Sequence, residues 1–181
     1  MNIWHDINPD CITPEKFTAV IEISKGSNCK YELDKYTGLL RLDRVLYTST
    51  HYPANYGFIP RTFADDGDPL DVLVICSVAI QPMTLIDVTP IGVMRMIDSG
   101  AIDDKIIAVP VSDPSYNHFK SIDELPAHIF DEIMHFFSVY KQLESKQTAV
   151  KELFTKKEAL EIISQAIKSY KECYGNEHKS K

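Results

Sequence analysis

The 181-residue sequence predicts an α+β fold that is mainly β. Three observations carry that expectation. From about residue 17 to 112, short apolar runs alternate with turn-forming residues, as strands do. Beyond residue 121 the apolar period lengthens to three and four residues, as on amphipathic helices. The two patterns are segregated along the chain, which favours α+β over an interleaved parallel sheet.

The first strand candidate, Phe17-Thr18-Ala19-Val20-Ile21-Glu22-Ile23, is rich in aromatic and β-branched residues. A hairpin follows. Tyr31-Glu32-Leu33-Asp34 and Leu39-Leu40-Arg41-Leu42-Asp43-Arg44 alternate in polarity around a turn at residues 35–38, which sets Lys30 almost opposite Arg44. Two cations then share one sheet face. Residues 72–75, 85–96 and 106–111 complete the strand candidates, and short strands at this spacing favour a closed or sandwich β core. The start signal from Ser121 to Pro126 opens a helix on which Ile129, Ile133, Phe136, Tyr140 and Leu143 recur. Thr155 and Glu158 make a capping box for a second helix, with Leu160, Ile163, Ile167 and Tyr170 on its apolar side. The expectation is one domain over residues 1–181, with a β core at about 17–112, a helical part at about 121–174 and a polar tail, 175–181, that frays.

Asp+Glu number 26 against 19 Lys+Arg, a formal charge of −7. That balance argues against nucleic-acid or anionic-membrane binding, but not against a small anion in a locally basic pocket. No apolar stretch reaches the 18 or so residues of a membrane span, and residues 1–6 lack the basic and apolar regions of a signal peptide, so a cytoplasmic location is expected. Cys11, Cys29, Cys76 and Cys173 form no Cys-x-x-Cys pair and read as reduced, mostly packing thiols. The six histidines form no zinc motif either, which disfavours zinc catalysis.

Chemistry concentrates in one loop. Asp65, Asp66, Asp68 and Asp71 stand close together in a segment whose Gly67 and Pro69 favour a turn. Their mutual repulsion is relieved by a divalent cation, and carboxylate oxygens are the preferred ligands of hard ions such as Mg2+. Taken alone, such an Asp-rich loop reads more readily as a solvated surface turn, and context has to decide. An EF-hand fits poorly, because Leu70 and Asp71 fall where a ligand and the tight-turn glycine belong. A phosphoaspartyl nucleophile fits poorly too, because Pro60-Arg61-Thr62-Phe63-Ala64 is not a buried apolar strand. A second acidic cluster, residues 98–105, contains Asp98, Asp103 and Asp104, reads as a turn between two strands and ends on Lys105. Lys30, Arg44 and Lys105 are cations suited to phosphate oxygens, and the Tyr56 and Tyr140 hydroxyls can donate to them.

Asp66-Gly67-Asp68-Pro69-Leu70-Asp71-Val72 resembles the signature of the family I soluble inorganic pyrophosphatases. The resemblance runs from about Ile12 to Glu144. It includes Val20-Ile21-Glu22-Ile23, Lys30-Tyr31-Glu32, Asp43-Arg44, Tyr52-Pro53-Ala54-Asn55-Tyr56-Gly57, Asp98, Asp103, Lys105 with Ile106-Ile107-Ala108-Val109-Pro110, and His135-Phe136-Phe137 with Tyr140-Lys141. It implies a five-stranded OB-like β-barrel with flanking α-helices, a homohexamer, and Mg2+-dependent hydrolysis of inorganic pyrophosphate by a metal-activated water without a covalent intermediate. By motif match, Asp66, Asp71 and Asp103 are similar to the principal metal ligands, with Asp98, Glu22 and Glu32 assisting. Lys30, Arg44, Tyr56, Lys105, Tyr140 and Lys141 are similar to the phosphate contacts, and Asp68 to the residue that activates water. The chain departs from the pattern at Ser99 and Ala101, where many members carry further acids; this predicts a changed Mg2+ requirement rather than lost activity. The rival readings are an OB-like nucleic-acid module, which would want a basic aromatic face, and a phosphatase acting on nucleotides or other phosphoesters, for which no base-recognition loop is visible.

Overall fold

Val72-Leu73-Val74 and Ile106-Ile107-Ala108-Val109 bury every side chain completely, so both faces of these strands must be covered. The computed structural model, which describes residues 2–98, 100–144 and 148–175 apart from the side chains of 149 and 151, shows how. Its elements are β1 (Phe17–Ile23), β2 (Cys29–Leu33), β3 (Leu40–Val45), β4 (Asn55–Phe58), β5 (Asp71–Val74), β6 (Leu85–Asp98), β7 (Ala101–Pro110), α1 (Ala127–Val139), β8 (Thr148–Thr155) and α2 (Lys156–Tyr174). Alternate strand residues join different clusters. Leu73, Ile107 and Val109 pack with Phe130, Ile133, Phe136 and Phe137 of α1, whereas Val72, Val74, Ile106 and Ala108 pack with Ala159, Ile163 and Ala166 of α2.

Strand β1 pairs with β4, β4 with β5, β5 with β7, β7 with β6, and β6 returns to β1, closing a five-stranded OB-like ring. All these pairings are antiparallel except β5 with β7. The ring is not a clean barrel, because the 14-residue β6 also pairs with β8 along its outer end. Closure needs a glycine at one point. A methyl group on Gly57 would lie 1.9 Å from the Val20 carbonyl oxygen, where β4 crosses β1 next to a bulge. The β2–β3 hairpin forms a separate two-stranded sheet, and it pairs Lys30 with Arg44 as its alternation predicts.

Several elements differ from expectation. Asp103, Asp104 and Lys105 are strand residues rather than turn residues, because β6 and β7 pair through Arg95–Asp104 and Met96–Asp103 out to their ends. Cross-strand partners here outweigh the low strand propensity of aspartate. Strand β4 occupies part of the aromatic loop, and β8 forms where no element was expected. Helix α1 ends at Val139, leaving Leu143 exposed in a 3-10 turn, Gln142–Glu144. Thr155 caps α2, accepting from the Lys157 backbone N–H and bonding to Glu158. All four cysteines are free, yet only Cys76 is a buried packing thiol; Cys11 and Cys173 are exposed. Ser99, one of the two positions of the family departure, and residues 176–181, most of the expected frayed tail, lie outside the described residues, whereas Ala101 opens β7. Among the described residues no helix is long and apolar enough to cross a membrane.

Candidate active site

Parallel pairing of β5 with β7 sets Asp71 beside Lys105, and the two-residue period of β7 puts Asp103 on the same face as Lys105. The buried Lys105 ammonium donates to Asp71 Oδ2 at 2.7 Å and to Asp103 Oδ1 and Oδ2 at 3.0 and 3.1 Å. Tyr56, reaching in from β4, bonds to Asp71 and lies 3.1 Å from Lys105 Nζ through its hydroxyl. The Tyr56 and Phe137 rings lie 5.2 and 5.3 Å from the same nitrogen. Burial opposes the ammonium charge, but Asp71 and Asp103 outweigh it and hold the Lys105 pKa above that of an ordinary lysine. Tyr56 is raised by burial and by Asp71, so it remains a phenol.

The acidic loop is pinned at both ends. Ile59 N–H donates to the Leu70 carbonyl at 2.9 Å, and the buried Thr62 hydroxyl accepts from Leu70 N–H at 2.8 Å. Nearer the tip, Ala64 N–H donates to the Asp68 carbonyl at 2.8 Å, and Gly67 adopts φ +85°, which a side chain would disfavour. Asp66 accepts from the Asp68 backbone N–H at 3.0 Å, yet its pKa is raised, first by burial and further by the neighbouring aspartates. Asp65 turns to a smaller cavity behind the loop, against α2.

The hairpin and the end of α1 complete the ring of charges. Glu22 at the end of β1 accepts from Leu33 N–H at 2.7 Å, tying the hairpin to the barrel. Burial pushes the Glu22 carboxyl up to about 8, aided by Asp71 and Glu32 and opposed by that hydrogen bond and by Lys30. Lys30 pairs with Glu32, and Lys141, just past α1, pairs with Asp98. Tyr140 is buried between Phe136 and Phe137, and burial raises its pKa.

These groups surround a cavity of about 340 Å³ that is lined by Asp66, Asp68, Asp71, Asp98, Asp103, Glu22, Glu32, Lys30, Lys105, Lys141, Tyr56 and Tyr140. Arg44 is the one sequence-predicted site residue outside that lining. Its Nε donates to Glu144 at 2.8 Å and its Nη1 bonds to Asp43. Trp4, Lys35 and Tyr52 also line the cavity, although the sequence assigned them no role. Lys35 pairs with Asp68 and lies 5.1 Å from the Trp4 ring. Tyr52 belongs to the recognised motif, whereas Lys35 meets Asp68 only through a contact 33 residues apart in sequence.

The donor set suits a hard cation. Among the described residues no three acids, histidines or cysteines already converge as a cage. Asp71 and Asp103 instead converge on the Lys105 ammonium, which stands where carboxylate oxygens can share a positive charge. Five aspartates and two glutamates around four lysines leave negative charge uncompensated, and oxygen-only ligands match a divalent ion.

Comparison with known proteins agrees. The model of the family described as inorganic pyrophosphatase matches residues 19–171. The chain is 47% identical over 171 residues to soluble inorganic pyrophosphatase 2 of Chlamydomonas reinhardtii, covering 94% of this chain and 89% of that one. Among solved structures it resembles the inorganic pyrophosphatase of Helicobacter pylori, at TM-score 0.86 and 45% identity over 88% of this chain and 96% of that one. For the Thermus thermophilus inorganic pyrophosphatase the TM-score is 0.90 and the identity 38%, over 94% of this chain and 99% of the other. A carboxylate and lysine cavity on a matching fold, with sequence identity this high across nearly the whole chain, places the protein in the inorganic pyrophosphatase family.

Proposed function

We propose that this protein is a cytoplasmic, single-domain enzyme that hydrolyses inorganic pyrophosphate to two orthophosphates with Mg2+. The observation that carries the reading is the sharing of buried Lys105 by Asp71 and Asp103 in a cavity that Lys30 and Lys141 also line. Pyrophosphate is a poor electrophile because its negative oxygens repel a nucleophile, so catalysis must neutralise both phosphoryl groups. Asp66, Asp71 and Asp103 would hold Mg2+, assisted by Asp98, Glu22 and Glu32. Bound there, the ions supply positive charge to phosphoryl oxygens and make water more acidic. Lys30, Lys105, Lys141 and Arg44 bind the non-bridging oxygens, and the Tyr56 and Tyr140 hydroxyls donate to them. Asp68, at the exposed edge of the loop, orients the attacking water and accepts its proton on a carboxylate oxygen. As the new P–O bond forms, the bond to the bridging oxygen breaks, and the leaving phosphate takes that electron pair. No covalent enzyme intermediate is required.

The homohexamer implied by the family resemblance belongs to the same proposal, as does an altered Mg2+ requirement arising from Ser99 and Ala101. The test is orthophosphate release from pyrophosphate across a Mg2+ titration, comparing the parent with Asp68→Asn and Asp71→Asn. Both substitutions should lower turnover by roughly 10²-fold or more. Equal activity in all three proteins would sink the mechanism, and an ordinary Mg2+ dependence would sink the proposed role of Ser99 and Ala101.

A further inference from the structure

Glu144 belongs to neither acidic cluster, yet its side chain is only 8% exposed. Its carboxylate accepts from Arg44 Nε at 2.8 Å, joining residues 100 positions apart. The contact follows from the way α1 ends. Tyr140 is the last cap of the helix, and Glu144 N–H then donates to the Lys141 carbonyl at 2.9 Å in the 3-10 turn that follows. One short segment therefore seats Tyr140 and Lys141 in the cavity and fixes the Glu144 carboxylate beside them. Arg44 comes from β3, in the hairpin that shares no strand pairing with the ring. The ion pair thus links two parts of the site that no sheet holds together.

The guanidinium itself is incompletely satisfied. Nε is taken by Glu144 and Nη1 by Asp43, whereas Nη2 is buried and has no protein acceptor among the described residues. A buried guanidinium nitrogen without an acceptor is unfavourable, and the planar fork suits the paired oxygens of a phosphoryl group. Arg44 also lies near enough to Tyr52 and Tyr140, both in the cavity wall, for its charge to act on their hydroxyls. An arginine side chain has several soft torsions, and a buried acceptor at Nε removes most of that freedom.

We propose that Glu144 is a positioning residue: by holding Arg44 Nε it fixes the guanidinium plane, so that the unpartnered Nη2 is kept for a phosphoryl oxygen of the substrate. This rests on the reading of Arg44 as a phosphate contact. The test is a double-mutant cycle of Glu144→Ala and Arg44→Ala, with kcat, KM for pyrophosphate and Tm measured for each protein at saturating Mg2+. Glu144→Ala should raise KM about tenfold, the scale of one charge-assisted hydrogen bond, with a smaller change in kcat. In the Arg44→Ala background the same substitution should leave KM unchanged.

An equal KM increase in both backgrounds overturns the proposal, because Glu144 would then act through something other than Arg44. An unchanged KM in Glu144→Ala, with KM raised in Arg44→Ala, also overturns it but leaves Arg44 as a phosphate contact. An unchanged KM in Arg44→Ala removes that contact and this inference with it, while the Asp71→Asn result decides the overall reaction separately. If Glu144→Ala does not fold, Glu144→Gln, which keeps the shape and loses the charge, carries the same comparison. Its expected KM increase is about threefold in the parent and none beside Arg44→Ala.

Discussion

Neighbouring aspartates on β7 point to opposite faces and are neutralised differently. Asp104 is closed: its two oxygens accept from Arg95 Nε and Nη2 at 2.7 Å each, and Arg95 lies 5.0 Å from the Phe154 ring. Asp103 shares the single Lys105 ammonium with Asp71. Counting hydrogen-bonded partners alone, one cation against one carboxylate sums to zero for Asp104, whereas one cation against two carboxylates leaves −1 for Asp103. The helices repeat the contrast. Helix α2 covers its face with Ala159, Ile163 and Ala166, whereas α1 covers the other with Phe136 and Phe137 and then runs into Tyr140 and Lys141. A matched ion pair is a finished structural contact; an excess of acid beside a lysine retains capacity for further cations and for an anion bound through them.

The largest test of that contrast removes the shared cation. Lys105→Met should lower kcat/KM for pyrophosphate by about 10³-fold, since Asp71 and Asp103 would repel each other and a phosphoryl contact would be lost. The second tests the aliphatic face. Ile163 is completely buried, so Ile163→Ala should cost about 3 kcal/mol in denaturant unfolding with KM unchanged. A marked KM change there would show that the two faces are mechanically coupled. Third, Arg95→Met should lower stability by about 1 kcal/mol, because this pair is partly exposed, and leave turnover within about twofold. Loss of turnover in Arg95→Met comparable with that in Lys105→Met would abolish the distinction between the faces.

How much of this was visible in the sequence depended on the range of each contact. The acidic loop was legible because Asp66, Asp68 and Asp71 are local and Gly67 and Pro69 dictate a turn. The Lys30–Arg44 pairing was legible because alternation and a short turn set a hairpin register. The parallel register of Asp71 with Lys105 was not, since no turn joins those strands and residue spacing says nothing about it. Motif resemblance brought the two residues together instead. Glu144 escaped for a similar reason, its partner lying 100 residues away. Strand β8 escaped because its pairing is dictated by the long outer edge of β6 rather than by its own mixed pattern, Thr148–Thr155.

Asp113 offers the finest test, because it is a finished carboxylate just beyond the far end of β7. It accepts from Ser77 N–H at 2.8 Å, Ser115 N–H at 2.9 Å and the Cys76 thiol at 3.3 Å. The Ser77 backbone hydrogen bond, chiefly, holds the carboxyl down at about 2, below its ordinary 3.8. A depressed folded-state pKa means that the unfolded chain binds the proton more readily, so this stabilisation is complete above about pH 4 and is lost as pH falls through about 2. Asp113→Asn should therefore be less stable than the parent at pH 7, by about 1 kcal/mol for the weakened hydrogen bonds. Urea unfolding of both proteins at pH 7, 4 and 2.5 should show that gap narrowing only at the lowest pH. A gap that stays constant from pH 7 to 2.5 would mean that the Asp113 charge contributes nothing, and that its hydrogen-bond geometry alone closes this end of the strand.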